Sequence, residues 1–238
     1  MKQFTHVSGF TEYMAIVQKI VLNYGKSNLK ILDMPAGNGL LSDNLRKHGH
    51  EVICADINSE KPEYTFVHME HELPFEDATF DAVICLEGIE HVISPDKLVK
   101  EICRVVKSDG FVIISLPNVQ SLFSRLKFLF TGTFYQFEPE STRHPKGQLM
   151  DRGHISPVSF FQLSYLFGEY EFIPKIVTGD KIKKKILMPL YLILFFVSKL
   201  NGWLRSRKNN NIEVQKIYKL SNQLRAQTSR SLVTLWTK

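Results

Sequence analysis

The sequence predicts an α/β fold in which a mostly parallel sheet is covered by helices on both faces. Short runs of apolar residues alternate along the chain with segments whose apolar side chains recur at helical spacing. Each apolar run is continuous, which is typical of strands that are buried on both faces. With 238 residues, the chain is long enough for one domain with a full core and an additional segment.

The first half of the chain alternates regularly between the two kinds of segment. Residues 10–24 carry apolar side chains at helical spacing and predict a helix over the sheet edge or over the mouth of a ligand site. Further helices are predicted at 41–47 and from Pro95 onward, and a turn is predicted at 108–110. Apolar strands are predicted at 31–32, 52–55, 64–68, 82–86 and 111–116.

The second half of the chain predicts the end of the sheet and two additions to it. An aromatic and apolar segment, 121–135, is followed by a polar stretch that reads as a loop, and a helix opens at His154. Two more strands are predicted at 170–177 and 231–236. We therefore divide the chain into a core with a lid, an insertion and a closing strand, at 1–180 (lid 121–153), 181–228 and 229–238.

A glycine turn after the first strand is the strongest sign of a ligand site. The strand runs into Asp33, the turn contains Gly37 and Gly39, and helical periodicity resumes at once. A glycine lets the backbone approach a bound molecule, and the start of the helix points unpaired N–H groups at it. Asp56 follows Gly39 by 17 residues at the end of the second strand, where an acid can bind a ribose diol.

Two common phosphate-binding patterns do not match this turn. A dinucleotide site needs a third glycine where Ser42 stands, which disfavours a nicotinamide oxidoreductase. The chain also lacks the Gly-Lys-Ser/Thr sequence of a phosphate-binding loop.

The segment Asp33-Met-Pro-Ala-Gly-Asn-Gly39 resembles motif I of the class I methyltransferases that use S-adenosylmethionine (SAM), with Pro35 in place of the first glycine. Later segments resemble successive motifs of the methyltransferases related to the ubiquinone-pathway O-methylating enzymes: Leu73-Pro-Phe with Phe80-Asp81, Glu87-Gly-Ile-Glu-His91, and Glu101-Ile-Cys-Arg104 with Gly110 and Pro117-Asn118. The resemblance covers about residues 25–120. It implies a Rossmann-like seven-stranded sheet with an antiparallel last strand, and SAM as the cofactor.

The resemblance also implies where the cofactor binds. The segment after strand three has Met69 where the family has an Asp, so Glu70 or backbone groups are expected to contact the adenine. We predict cofactor contacts at Asp33, Ala36, Gly37, Asn38, Gly39, Asp56, Ile57, Glu70 and Glu87.

Two histidines are the candidate catalytic residues, because a hydroxyl acceptor needs a base to take its proton. His91 follows strand four beside Glu90, which can orient its ring, and His154 follows the lid. For both histidines a purely structural role is the alternative. We predict no metal site, because the histidines and acids at 68–72 lie in a strand-to-loop stretch without a supporting helix.

The charge divides the chain into two unequal parts. Residues 1–180 carry 17 Lys and Arg against 23 Asp and Glu, a net charge of −6. Residues 181–238 carry 13 Lys and Arg against Glu213 alone, a net charge of +12. A strongly basic end beside a mildly acidic body calls for an anionic partner.

The insertion combines this positive charge with an apolar centre. It opens with Lys181-Ile-Lys-Lys-Lys185 and contains the uncharged stretch 186–198, with Trp203 beyond it. These 13 residues would form roughly 20 Å of helix, short of the ~30 Å hydrocarbon core, so we predict that they do not span a membrane. We predict instead that 181–208 binds an anionic membrane surface. A buried core helix or a dimer helix is the alternative.

These features predict a SAM-dependent methyltransferase that modifies a hydroxyl of a small or lipid-linked acceptor, such as a glycan intermediate or a prenylated ring. The N-terminal residues lack a signal-peptide core and the three cysteines lack paired spacing, which favours the cytoplasm, with peripheral binding at the inner membrane face. An RNA methyltransferase and a non-catalytic membrane-associated module are the alternatives. Phe, Leu and Ile among the basic residues make nucleic acid the less favoured partner.

Overall fold

The computed structural model describes residues 9–57, 61–139 and 153–238 and is organised around one seven-stranded sheet. Its strands are β1 (Lys30–Asp33), β2 (Glu51–Asp56), β3 (Thr65–Phe66), β4 (Phe80–Leu86), β5 (Val106–Pro117), β6 (Ile173–Gly179) and β7 (Ser231–Thr237). The order across the sheet is β3-β2-β1-β4-β5-β7-β6. Only β7 is antiparallel to its neighbours, β5 and β6, so the predicted mostly parallel α/β sheet is confirmed.

Helices cover both faces of the sheet. They are α1 (Glu12–Leu22), α2 (Leu40–Lys47), α3 (Pro95–Val105), α4 (Leu122–Thr131), α5 (Phe160–Gly168), α6 (Met188–Lys208), α7 (Ile212–Ser221) and α8 (Leu224–Thr228). Buried side chains of α1 and α2 pack on one face, and those of α3 and α5 pack on the other. In β4, Val83 and Cys85 belong to one core cluster, whereas Ala82 and Ile84 belong to the other. The part of β4 that is buried on both sides, residues 82–86, is therefore apolar at every position.

The boundaries of β5 differ from the prediction. The strand begins at Val106, so the turn predicted at 108–110 is wrong, because these residues continue the strand. Val106 pairs with Phe80, and the register shifts before the next pair. Gly110 fits this irregular stretch, since a Cβ there would lie 2.7 Å from the carbonyl oxygen of Asp81. Ser108 and Asp109 have the sequence character of a turn because this end of the strand is exposed.

The structure also adds detail to the predicted lid and corrects the predicted insertion. The lid predicted at 121–153 is described as far as residue 139 and again at 153, and it contains α4. In the insertion, α6 continues through Lys199 to Lys208, which makes Lys185–Lys208 long and apolar enough to cross a membrane by length and composition. The prediction that the segment is too short to span is wrong, because it counted uncharged residues alone.

Candidate functional site

A cavity of about 1010 Å³ opens at the carboxyl ends of the central strands. This volume is at the upper end of the range for ligand pockets, about 300–1,000 Å³, and leaves space for a second ligand beside a nucleotide. Ten of the eleven predicted site residues line the cavity: Asp33, Ala36, Gly37, Asn38, Asp56, Ile57, Glu70, Glu87, His91 and His154.

The glycine turn and the acid of β2 are joined by a direct hydrogen bond. The Gly37 N–H donates to Asp56 Oδ2 at 2.8 Å, and the Ala36 N–H donates to the Ala55 carbonyl oxygen at 3.0 Å. Gly37 has a left-handed φ of 52°, and a Cβ at this position would meet no atom within 4 Å. The space beside the turn is therefore open to a ligand, with the Asp56 carboxylate fixed at its edge.

Gly39 is the one predicted site residue that is not among the described residues lining the cavity. It caps α2 with a φ of 75°, and a Cβ there would overlap the Tyr64 hydroxyl and lie 2.8 Å from Lys61 Nζ. The Lys61 ammonium in turn donates to the Asn38 carbonyl oxygen at 2.7 Å. Gly39 thus shapes the turn from behind the cavity wall.

Asp33 is buried in the wall at the end of β1. Its Oδ2 accepts a hydrogen bond of 2.6 Å from the Ser42 hydroxyl at the start of α2. Burial raises the pKa of Asp33 to about 7, with the Asp56 carboxylate adding to the rise and the Ser42 hydrogen bond opposing it. Near neutral pH this carboxyl group changes charge readily, and a cationic ligand group nearby would favour its ionised form.

Glu70 connects two loops at the cavity. Its Oε1 accepts a hydrogen bond of 2.9 Å from the Ile93 N–H, in the segment that follows β4. His68 also lines the cavity, whereas His71 and Glu72 are exposed. The predicted adenine segment therefore forms a wall of the cavity, and the Glu70 carboxylate helps to fix it.

Glu87 is held by the two strands beyond β4. Its carboxylate accepts hydrogen bonds from the Ser115 hydroxyl at 2.5 Å and from the Ser231 hydroxyl at 3.3 Å. Glu87 has a left-handed φ of 49°, and burial raises the pKa of its carboxyl group. This geometry joins the carboxyl end of β4 to the beginning of β7.

Some polar cavity residues were not predicted as site residues, because they come from distant parts of the chain. They include Tyr13, Asp180, Lys181 and Arg230. Arg230 Nε donates to Asp180 Oδ2 at 3.0 Å, and the Tyr13 ring lies 6.0 Å from the guanidinium. One signal was present in the sequence: a residue just before an antiparallel strand lies at the edge where the parallel strands end.

The structure brings the two candidate histidines together. The Ile155 and Ser156 N–H groups both donate to the Glu90 carbonyl oxygen at 3.0 Å, which ties the segment after the lid to the turn that carries His91. The rings of His91 and His154 lie 4.8 Å apart at 86°. His154 Nε2 is 4.0 Å from the buried Glu90 Oε1, so Glu90 faces His154 as well as neighbouring His91.

Chemically, this cluster can hold and move a proton inside the cavity. Imidazole nitrogens exchange protons near neutral pH, and a buried carboxylate stabilises the protonated ring. The ligand-type atoms of Glu90, His91 and His154 lie within 4.8 Å of one another, a donor set that also suits a transition metal ion.

The sheet order, the glycine turn and the acid after β2 define a class I nucleotide-binding methyltransferase fold. A family model described as "Methyltransferase domain" matches residues 6–173. The chain belongs to this methyltransferase family, and SAM is the cofactor that the family and the fold imply. The open space at Gly37 and the position of Asp56 fit SAM, with Asp56 as the residue that would hold its ribose.

Curated relatives and solved structures agree with this assignment. The ubiquinone biosynthesis O-methyltransferase of Alkalilimnicola ehrlichii is 34% identical over 108 residues, which cover 40% of this chain and 44% of that protein. Its counterpart in Aliivibrio fischeri is 29% identical over 122 residues, which cover 43% and 52%. The chain thus spans about half the length of the curated relatives it matches.

The solved structures extend the similarity in fold over nearly the whole chain. A SAM-dependent methyltransferase from Archaeoglobus fulgidus superposes with a TM-score of 0.58 at 17% identity, covering 94% of both chains. One from Methanosarcina mazei has a TM-score of 0.55 at 18% identity, covering 92% of this chain and 96% of its own. At these identities the comparison supports the fold and carries no information on the acceptor.

Proposed function

We propose that the chain transfers a methyl group to a hydroxyl of a small or lipid-linked acceptor at the cytoplasmic face of a membrane. The observation that carries the proposal is the cluster of Glu90, His91 and His154, which shares one cavity with the glycine turn and Asp56. A glycan intermediate on a lipid carrier and a prenylated ring are the two acceptor classes. The relatives' names, which specify O-methylation in ubiquinone biosynthesis, support a hydroxyl on a ring.

The chain's own residues have two tasks in this reaction. SAM, held by the glycine turn and Asp56, would supply an electrophilic methyl group for the acceptor oxygen. One of the two histidines takes the proton that the hydroxyl loses, and the buried Glu90 carboxylate stabilises the resulting imidazolium. The cavity walls hold the acceptor against the methyl group, which accounts for much of the acceleration in such displacements.

Mass spectrometry of lipid and glycan extracts tests the proposal directly. Extracts from cells that lack the protein are incubated with isotopically labelled SAM, with and without the purified protein, and compared. We expect a product heavier by one labelled methyl group in place of hydrogen, with the label on oxygen. A label found only on nitrogen or carbon would contradict the hydroxyl acceptor.

RNA is the second candidate acceptor, because the net charge of +12 over residues 181–238 would also suit a phosphate backbone. Binding of labelled RNA and of anionic vesicles separates the two proposals when both are measured across a salt series. We expect RNA binding to be weak and lost with added salt, and vesicle binding to persist through apolar contacts.

A non-catalytic membrane-associated module is the remaining alternative to a methyl-transferring role. It predicts that labelled methyl groups stay on SAM in every extract, even where calorimetry detects SAM binding. The proposed enzyme predicts SAM binding and transfer together. The intact glycine turn and the hydrogen bond between Gly37 and Asp56 support the enzyme.

A further inference from the structure

Helix α6 has two opposite apolar faces. At 100° per residue, Tyr191, Phe195 and Gly202 share one side of the helix, and these three residues are buried against the body. The opposite side is apolar and solvent-exposed, with side chains that are 46–64% accessible: Ile193, Phe196, Val197, Leu200 and Leu204. A long helix that is apolar all round needs a cover on its second face.

Helix α4 packs on α6 and carries exposed apolar residues of its own. Leu122 of α4 forms a small buried cluster with Tyr191 and Phe195, and the two helices therefore pack directly on each other. The last turn of α4 then exposes Phe128, Leu129 and Phe130, with Phe130 80% accessible. We call the exposed apolar residues of the two helices the α4–α6 surface: Phe128, Leu129, Phe130, Ile193, Phe196, Val197, Leu200 and Leu204.

The charges along α6 and in the segment before it are all positive. Residues 181–208 contain eight Lys and Arg and no Asp or Glu. The Arg207 guanidinium lies 4.3 Å from the Trp203 ring centroid, and Lys199 Nζ lies 5.8 Å from that of Phe195. Cations that lie along an apolar helix in this way suit the boundary between acyl chains and anionic headgroups.

Two chain segments connect the α4–α6 surface to the cavity. Lys181 lines the cavity, and the next residue, Ile182, packs against the cluster between the two helices. Lys183 Nζ then lies 4.9 Å from the ring centroid of Tyr135, whose neighbour Gln136 lines the cavity. The cavity wall is therefore adjacent in the chain to the packing between α4 and α6, through Ile182 in one segment and Tyr135 in the other.

We propose that the α4–α6 surface docks on an anionic bilayer leaflet, with α6 lying in the plane of the headgroups. Its packed inner face opposes a spanning position, because crossing the membrane would separate α6 from α4. Docking in this way holds on the leaflet a helix that begins seven residues after Lys181 of the cavity wall. An acceptor can then reach the cavity while its hydrocarbon chain stays among the lipids, and this last step rests on the proposed function.

Vesicle co-sedimentation of the full chain tests the docking surface. The probes are vesicles of phosphatidylcholine with and without phosphatidylglycerol. We expect binding to the anionic vesicles, and an affinity about tenfold or more lower for the double variant Ile193→Ser/Phe196→Ser. The matched control is Phe66→Ser on β3, at the opposite edge of the sheet, because Phe66 is 54% and Phe196 63% exposed. This control is expected to bind like the wild type.

A second pair of variants tests the contribution of charge. Replacing Lys183, Lys184 and Lys185 by Gln is expected to weaken binding to anionic vesicles about tenfold or more. Replacing Lys47, Lys97 and Lys100 changes the net charge equally at exposed sites on α2 and α3, and is expected to have little effect. Equal losses in the two triple variants would show a non-specific charge effect and overturn the proposal.

Three other outcomes would also overturn it. A dimer in sedimentation equilibrium that dissociates in the double variant, without vesicle binding, would make the surface a contact between copies of the chain. Resistance of the membrane-bound chain to alkaline carbonate would indicate a spanning helix. Wild-type binding by the double variant would exclude the surface altogether. SAM calorimetry on the same samples separates these failures from failure of the enzyme assignment.

Discussion

The cavity wall and the α4–α6 surface are built in opposite ways. In the wall, charged side chains are fixed by specific hydrogen bonds, such as Gly37 to Asp56 and Ser42 to Asp33. On the α4–α6 surface, large apolar side chains such as Phe130 and Phe196 are exposed. Directional bonds suit one ligand geometry, whereas an apolar face with cations beside it suits a fluid partner.

Because the two regions are built differently, substitutions in each are expected to alter different measured properties. Changes in the cavity wall are expected to alter cofactor binding or methyl transfer and to leave vesicle binding intact. Changes on the α4–α6 surface are expected to do the reverse. The predictions below test this separation, beginning with the largest expected effect.

Loss of the proton-accepting histidine is expected to cause the largest change. In His91→Asn and His154→Asn, methyl transfer to the acceptor fraction found in the extracts should fall by about 10²–10⁴-fold in at least one variant. Calorimetry should show an unchanged affinity for SAM, because neither change removes the glycine turn or Asp56.

The Phe196→Ser variant is the control from the other region, with the same acceptor fraction presented in detergent. Its turnover should equal that of the wild type. Full activity in both histidine variants would exclude the general base, and a parallel loss in Phe196→Ser would remove the separation between the two regions.

The pH dependence of stability should report the buried Asp33. Its pKa is raised from 3.8 to about 7 in the folded chain, so between these values the folded state holds a proton that the unfolded state releases. The free energy of unfolding therefore falls as pH rises from about 4 to 7, by up to about 4 kcal/mol from this group. Denaturant titrations of wild type and Asp33→Asn should diverge over this window, and Phe196→Ser should follow the wild type.

Replacing one glycine in the sheet and one in the insertion should lower the free energy of unfolding by different amounts. A Cβ at Gly179 would overlap Ser229 and lie 2.7 Å from the Ser231 carbonyl oxygen, whereas one at Gly202 would overlap only the side chain of Asn222. Gly179→Ala should therefore lower the free energy of unfolding by about 1–3 kcal/mol, and Gly202→Ala by less than about 1 kcal/mol. Equal losses in urea unfolding would mean that α6 packs as rigidly as the sheet.

The sequence predicts the sheet and the nucleotide half of the site because both depend on local patterns. Continuous apolar runs predict the strands. The glycine turn and Asp56 follow two successive strands, and the carboxyl ends of these strands lie side by side in a parallel sheet. The strand at 108–110 is missed, and a turn is predicted in its place, because the polar residues there belong to the exposed end of β5.

The rest of the site depends on contacts between residues far apart in the chain. Tyr13, Asp180 and Arg230 meet at the cavity only because β7 inserts between β5 and β6, and periodicity carries no information on that order. The pairing of Glu90 with His154 depends on backbone hydrogen bonds that fasten the segment after the lid. The length of α6 is missed because charged residues such as Lys199 end an apolar run without ending a helix.

Calorimetric titration of SAM into wild type, Asp56→Asn and Asp43→Asn tests the central claim, that the cavity holds the cofactor by the acid of β2. Asp43 is the matched control, because it is an exposed carboxylate on α2 that pairs with Arg46 at 3.0 Å. We predict binding by the wild type and by Asp43→Asn, and an affinity about 10–100-fold lower for Asp56→Asn, as expected for lost hydrogen bonds to a charged group. No binding by the wild type, or equal affinity in all three proteins, would contradict the account.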